Sequence, residues 1–165
     1  MRIILKNKET LLCDEFKFKC SIGKNGLKKN KKEGDNATPR GTFLLGDIYY
    51  RADRLNKPVS NLKVKMIKKN TGWCDDPNSK YYNKEILINK NLKISYEKLY
   101  RRDHKYDLLI LVKYNYNRVI KNKGSAIFIH LTRDYLPTEG CIVLDKKDFL
   151  ILSKIVQKNE KIKIN

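Results

Sequence analysis

The chain has 165 residues, of which 41% are hydrophobic and 33% charged, enough to build one domain with a real core and too few for two ordinary ones. Lys and Arg number 37 against 18 acids, a formal net charge of +19, but Lys outnumbers Arg 29 to 8 and the basic residues are scattered along the whole length. That pattern describes a solvated surface better than a nucleic-acid groove, so no nucleic-acid partner is expected.

In chain order the pattern is one of short strands and turns. Arg2–Lys6 and Glu15–Ser21 read as strands, the second with Phe16 and Phe18 on one face. Ile22–Phe43 is rich in Gly, Asn and Lys and reads as a long functional loop. Phe43–Tyr50 and Asn61–Ile67 return to strand, and Thr71–Asn83 is a turn-rich insertion carrying the only Trp. Tyr96, Leu99 and Tyr100 share a helical face, which predicts a short helix over Ser95–Arg102. Leu108–Tyr116 and Ser125–Leu131 are the strongest buried-strand candidates. Asp145 is placed to cap a helix over Lys146–Val156, with Asp148 in its first turn, and Lys161–Ile164 is a last strand. The expectation is a mainly β fold with two short helices, in a single domain spanning residues 1–165. No segment is long and apolar enough to span a bilayer, and Ile3–Leu5 is too short for the core of a secretory signal.

Cys13, Cys20, Cys74 and Cys141 form no CxxC pair and have no neighbouring His, so they do not make a zinc pattern. The stretch FIHLTRDYLPTEGCIVL, Phe128–Leu144, is more informative. One of only two histidines, His130, ends an apolar run there, and Cys141 follows Gly140, 141 − 130 = 11 residues later. A thiol nucleophile needs a base to ionise it and backbone donors for the oxyanion it creates. A tight return through Pro137 and Gly140 can supply both. By spacing alone, two unrelated core residues are the commoner explanation of such a pattern.

The stretch resembles the signature of the L,D-transpeptidase catalytic domain family (YkuD/ErfK type): a His, a variable interval, then Ser/Thr-x-Gly-Cys, here His130 and Thr138-Glu139-Gly140-Cys141. Five further blocks carry the likeness in order to a short, stand-alone branch of that family. They are KKEGDNATPRGTF (Lys31–Phe43), YYRADR (Tyr49–Arg54), GWCDDPNSKYYN (Gly72–Asn83), RRDHKYDLLILVKYN (Arg101–Asn115) and GSAIFIHL (Gly124–Leu131). The resemblance implies a β-sandwich with a few short helices. It implies Cys141 as nucleophile, His130 as its base, and Gly140 with the Cys141 N–H as the oxyanion hole. Thr138 matches the motif's hydroxyl residue, and Glu139 and Val143 depart from the His and the Asn or Arg that many members carry. The implied reaction is acyl transfer on peptidoglycan stem peptides, at the cell envelope, without metal or organic cofactor and by a monomer; carbapenems are the expected acylating inhibitors. The absence of a visible export signal leaves the cytoplasm as the second location and, with the Val143 departure, keeps open the same chemistry on a donor outside peptidoglycan; a basic non-catalytic module that binds an anionic polymer is the other reading. Beyond the motif, Arg133, Arg40, His104 and Trp73 are the expected substrate contacts. For Arg40 a β-turn role and for His104 a surface position remain equally open, and Trp73 is more often a packing anchor.

Overall fold

The computed structural model describes residues 2–165. Fourteen strands and one helix follow in chain order: β1 (Ile3–Asn7), β2 (Thr10–Cys13), β3 (Phe16–Lys19), β4 (Leu27–Lys28), β5 (Thr38–Pro39), β6 (Gly41–Tyr50), β7 (Val64–Met66), β8 (Thr71–Cys74), β9 (Glu85–Leu87), β10 (Tyr96–Lys98), β11 (Leu108–Val112), β12 (Phe128–Leu131), β13 (Ile142–Leu144), α1 (Lys146–Ile155) and β14 (Lys161–Ile164). The mainly β expectation holds. The predicted helix over Ser95–Arg102 does not: Tyr96–Lys98 pairs with Gly72–Cys74 as a strand, leaving a single helix among the described residues.

The main sheet runs β13-β12-β11-β6-β14-β1-β2-β3, with β7 beside β6. It then closes on itself. Just past β3, Ser21 exchanges both backbone hydrogen bonds with Val143 of β13, so the two edges meet. Closure removes the exposed edges that a sheet this long would otherwise present. Between Ile110 and Val112 the β6–β11 register shifts by one residue around Gly46, where a Cβ would come within 2.9 Å of Leu111. That bulge helps bend the long strand β6.

Strand alternation sorts the core into two layers. Leu108, Ile110, Ile129, Ile142 and Leu144 face an inner cluster with Phe149 and Leu152 of α1. Their alternates, Leu109, Leu111, Phe128 and Cys141, face an outer cluster with Tyr49, Trp73, Leu99 and Tyr106. The separate sheet β10-β8-β9 supplies Trp73 to that outer layer. β11 is therefore buried on both faces, which is why its sequence is continuously apolar.

Asp145 caps α1 as predicted, with extended backbone and a carboxylate accepting from Asp148 N at 2.8 Å. Its other oxygen takes the Tyr135 hydroxyl at 3.2 Å. Asp145→Ala should cost about 1–2 kcal/mol in urea unfolding, the usual loss on removing a cap side chain.

Candidate active site

β12 and β13 run parallel with Ile129 opposite Ile142 and His130 opposite Val143. Two residues apart on one strand means the same face. Phe128 and His130 thus share the outer face, and so do Cys141 and Val143. His130 and Cys141 become diagonal neighbours, with strand spacing and rise placing their backbones about 8 Å apart. The Cys141 sulfur leans toward β12, accepting from Phe128 N at 3.4 Å and donating to Ala126 O at 3.3 Å.

The turn before Cys141 is held by the long segment after β3. Thr138 N donates to Ile22 O at 2.9 Å, and Lys24 N donates to Thr138 O at 2.8 Å. The fully buried Thr38 donates its hydroxyl to Gly140 O at 2.8 Å. Lys31, 3% exposed, bonds through its ammonium to Asp35 and to the Ala37 carbonyl, tying the segment into a folded strap. Gly140 has φ +140°, and a Cβ there would stand 2.9 Å from Ala37 O, so both its conformation and the close approach call for glycine.

Thr138 Oγ1 accepts from Gly140 N at 3.1 Å and donates to Cys141 O at 2.6 Å. The Gly140 N–H is thereby occupied, in contrast to the expected paired oxyanion donors. The Cys141 N–H has no acceptor among the described residues and is the remaining donor. Thr138 thus braces the turn, and it also lines the cleft, where a substrate contact was expected.

The ring of His130 is fixed through Nδ1, 3.0 Å from Leu131 O. A carbonyl only accepts, so Nδ1 carries the proton and Nε2 keeps its lone pair. Tyr106 packs edge-on against that ring with centroids 5.0 Å apart. Burial drives the imidazole pKa down to about 4 and the Cys141 thiol up to about 12, so both groups are neutral at pH 7. Among the described residues no hydrogen bond joins them: the resting thiol is bonded to Ala126, not to the imidazole.

Both groups line one cleft of about 920 Å³, together with Thr138, Glu139, Gly140 and Val143. Its wall continues through Asp75, and through Glu97, Arg101, Lys105, Tyr106 and Ser125, to which the sequence did not point. Four predicted contacts lie elsewhere. Arg133 and Arg40 are exposed outside the cleft, because Arg133 follows the end of β12 and Arg40 joins β5 to β6. His104 Nδ1 sits 2.7 Å from Asp107, which Arg54 also engages at 2.7 Å, an ion-pair cluster at the surface. Trp73 is fully buried, packs edge-on against Phe128 at 5.2 Å, and donates to Asn83 Oδ1 at 2.9 Å, which makes it a support behind the site. A second hollow, of about 650 Å³, is lined by Ala52–Val59 and the start of α1 and holds neither His nor Cys.

Residues 3–164 match the family model for the L,D-transpeptidase catalytic domain, YkuD. No curated protein matches the chain. Among solved structures, the helical cell shape determining protein Pgp2 from Campylobacter jejuni is similar at 16% identity and a TM-score of 0.50, over 98% of this chain and 45% of that one. Bd1075 from Bdellovibrio bacteriovorus is 15% identical with a TM-score of 0.47, over 99% and 46%. An L,D-transpeptidase from Mycobacterium smegmatis is 14% identical with a TM-score of 0.42, over 99% and 58%. The chain thus spans only 45–58% of these structures, and the likeness to the first is one of fold.

Proposed function

The chain belongs to the L,D-transpeptidase catalytic domain family, and on that premise we propose that Cys141 is the nucleophile of an acyl transfer on peptidoglycan stem peptides in the cell envelope. The observation that carries the reading is the placement of Cys141 and His130 on one face of adjacent parallel strands, opening into one cleft, with the imidazole held in the tautomer a base requires.

The thiol begins neutral. When a donor peptide fills the cleft, the sulfur exchanges its Ala126 carbonyl for His130 Nε2 and attacks the carbonyl that follows the L-centre of the diamino acid. The S–C bond forms as the proton passes to Nε2. The carbonyl electron pair moves onto oxygen, where the Cys141 N–H donates to it. Collapse breaks the C–N bond, the imidazolium returns its proton to the departing D-Ala amine, and a thioester remains. An amine then resolves it to a cross-link or an exchanged D-amino acid, or water resolves it to a shortened peptide. Such general-base help is typically worth about 10²–10⁴ in rate.

The net charge of +19 motivates one competing reading, a basic module that binds an anionic polymer without turnover. Intact-protein mass after incubation with a carbapenem separates the two. A single adduct mapped to Cys141, and absent in Cys141→Ala, is expected. No adduct, or labelling spread over Cys13, Cys20 and Cys74, would sink the acyl-transfer reading.

A further inference from the structure

Two buried side-chain polar atoms among the described residues have no hydrogen-bond partner: Asp75 Oδ1 and Ser125 Oγ. Both residues line the cleft that holds Cys141. Ser125 is 8% exposed, and its hydroxyl lies beside that of Tyr82, toward which it can turn its proton while its oxygen accepts from no donor. A carboxylate oxygen removed from water and given no donor is expensive, and native structures rarely keep one without cause. Glu97 stands in the same wall. One of its oxygens accepts from the Tyr106 hydroxyl, and Arg101 approaches that same oxygen only to 3.9 Å.

We propose that Asp75, Ser125 and Glu97 form a subsite for a primary ammonium group of the substrate, beside the reacting thiol. An ammonium carries three donors and no acceptor. The wall offers it the unpartnered Asp75 oxygen, the Ser125 hydroxyl oxygen and the Glu97 carboxylate. The electrostatics agree. Burial raises the Glu97 carboxyl above its ordinary range, and Asp75 adds to that rise by like-charge repulsion. A cation seated between the two acids would stabilise both ionised forms. Tyr106 makes the subsite part of the reaction centre, since its hydroxyl holds Glu97 while its ring packs on His130.

This inference rests on the acyl-transfer reading of the cleft, so its test measures binding alone. Two stem tetrapeptides, one with the free side-chain amine of its diamino acid and one with that amine acetylated, are titrated calorimetrically into the Cys141→Ala protein. The free amine should bind about 10–100-fold more tightly, the worth of charge-assisted hydrogen bonds to one group. Adding Asp75→Asn should erase most of that preference, and adding Ser125→Ala a smaller part. Equal affinity for the two peptides, no binding of either, or a preference untouched by Asp75→Asn would overturn the subsite. Acylation of the unsubstituted protein by an amine-free β-lactam judges the proposed chemistry separately, because that probe makes no demand on the ammonium subsite.

Discussion

Asn83→Leu should unfold the protein at a markedly lower urea concentration, with a loss of roughly 4 kcal/mol or more. Asn83 is 2% exposed, and every place its side-chain amide offers is filled. Oδ1 accepts from Trp73 Nε1 at 2.9 Å and from Ala126 N at 3.0 Å. Nδ2 donates to Tyr114 O at 3.0 Å and Asn115 O at 2.7 Å. Leucine keeps the volume and strands one buried and three partly buried groups, the buried one alone costing about 1–3 kcal/mol when unsatisfied. The backbone adds to the loss, since φ +57° suits Asn and strains a bulkier residue. The damage should reach the thiol. Ala126, itself at φ +52°, presents the carbonyl that holds Cys141 Sγ, so Asn83 positions the nucleophile through one intervening residue. Asn83→Asp keeps both acceptor bonds and sets an oxygen against two carbonyls, and should fall between. A loss under about 1 kcal/mol for the leucine variant would mean that the amide is not the keystone described.

The same geometry explains which parts of the molecule were legible in sequence. β11 and β12 stood out because burial on both faces writes a continuous apolar run, and α1 because its cap and first-turn acid are local signals. The stretch around β10 misled because Tyr96, Leu99 and Tyr100 satisfy a helical period over a segment too short to test it, whereas pairing with β8 decides the outcome. The strand Thr10–Cys13 carries too few residues to show alternation and went unread. The His–Cys pair was legible through its motif, but the reason the two meet, a parallel register between β12 and β13, is tertiary. The substrate contacts suffered most. Arg133, Arg40 and His104 stand out by residue type and by their place in the motif and its blocks, while the cleft wall is assembled from the end of β8, from β10 and from the residues preceding β12. Ser125 and Asp75 lay inside the matched blocks, yet nothing in a block says which of its polar atoms will be left without a partner.

Iodoacetamide should alkylate unliganded Cys141 at least about 10³ times more slowly at pH 7 than an ordinary exposed thiol. The thiol pKa rises from 9.0 to about 12, mainly through burial, and 12 − 9.0 = 3 decades of thiolate are lost. The sign follows from the protonated form being favoured in the folded state. The rate should climb about tenfold per pH unit through pH 9 with no plateau near neutrality. Stability should fall between about pH 9 and about pH 12, where the unfolded chain has released this proton and the folded chain still holds it. Cys13 and Cys20 are raised to about 11 and about 12 by the same cause, so peptide mapping must follow Cys141 alone. His130, pushed down to about 4, cannot hold the thiol proton in the empty cleft. His130→Gln should therefore leave the alkylation rate within a few-fold while cutting carbapenem acylation by about 10²–10⁴. That contrast identifies a base that works only once a carbonyl is bound. A plateau below pH 7, abolished by His130→Gln, would instead reveal a thiolate–imidazolium pair already formed at rest. The neutral resting pair described here would then be wrong, and the Ala126 carbonyl would not be the partner the sulfur keeps in solution.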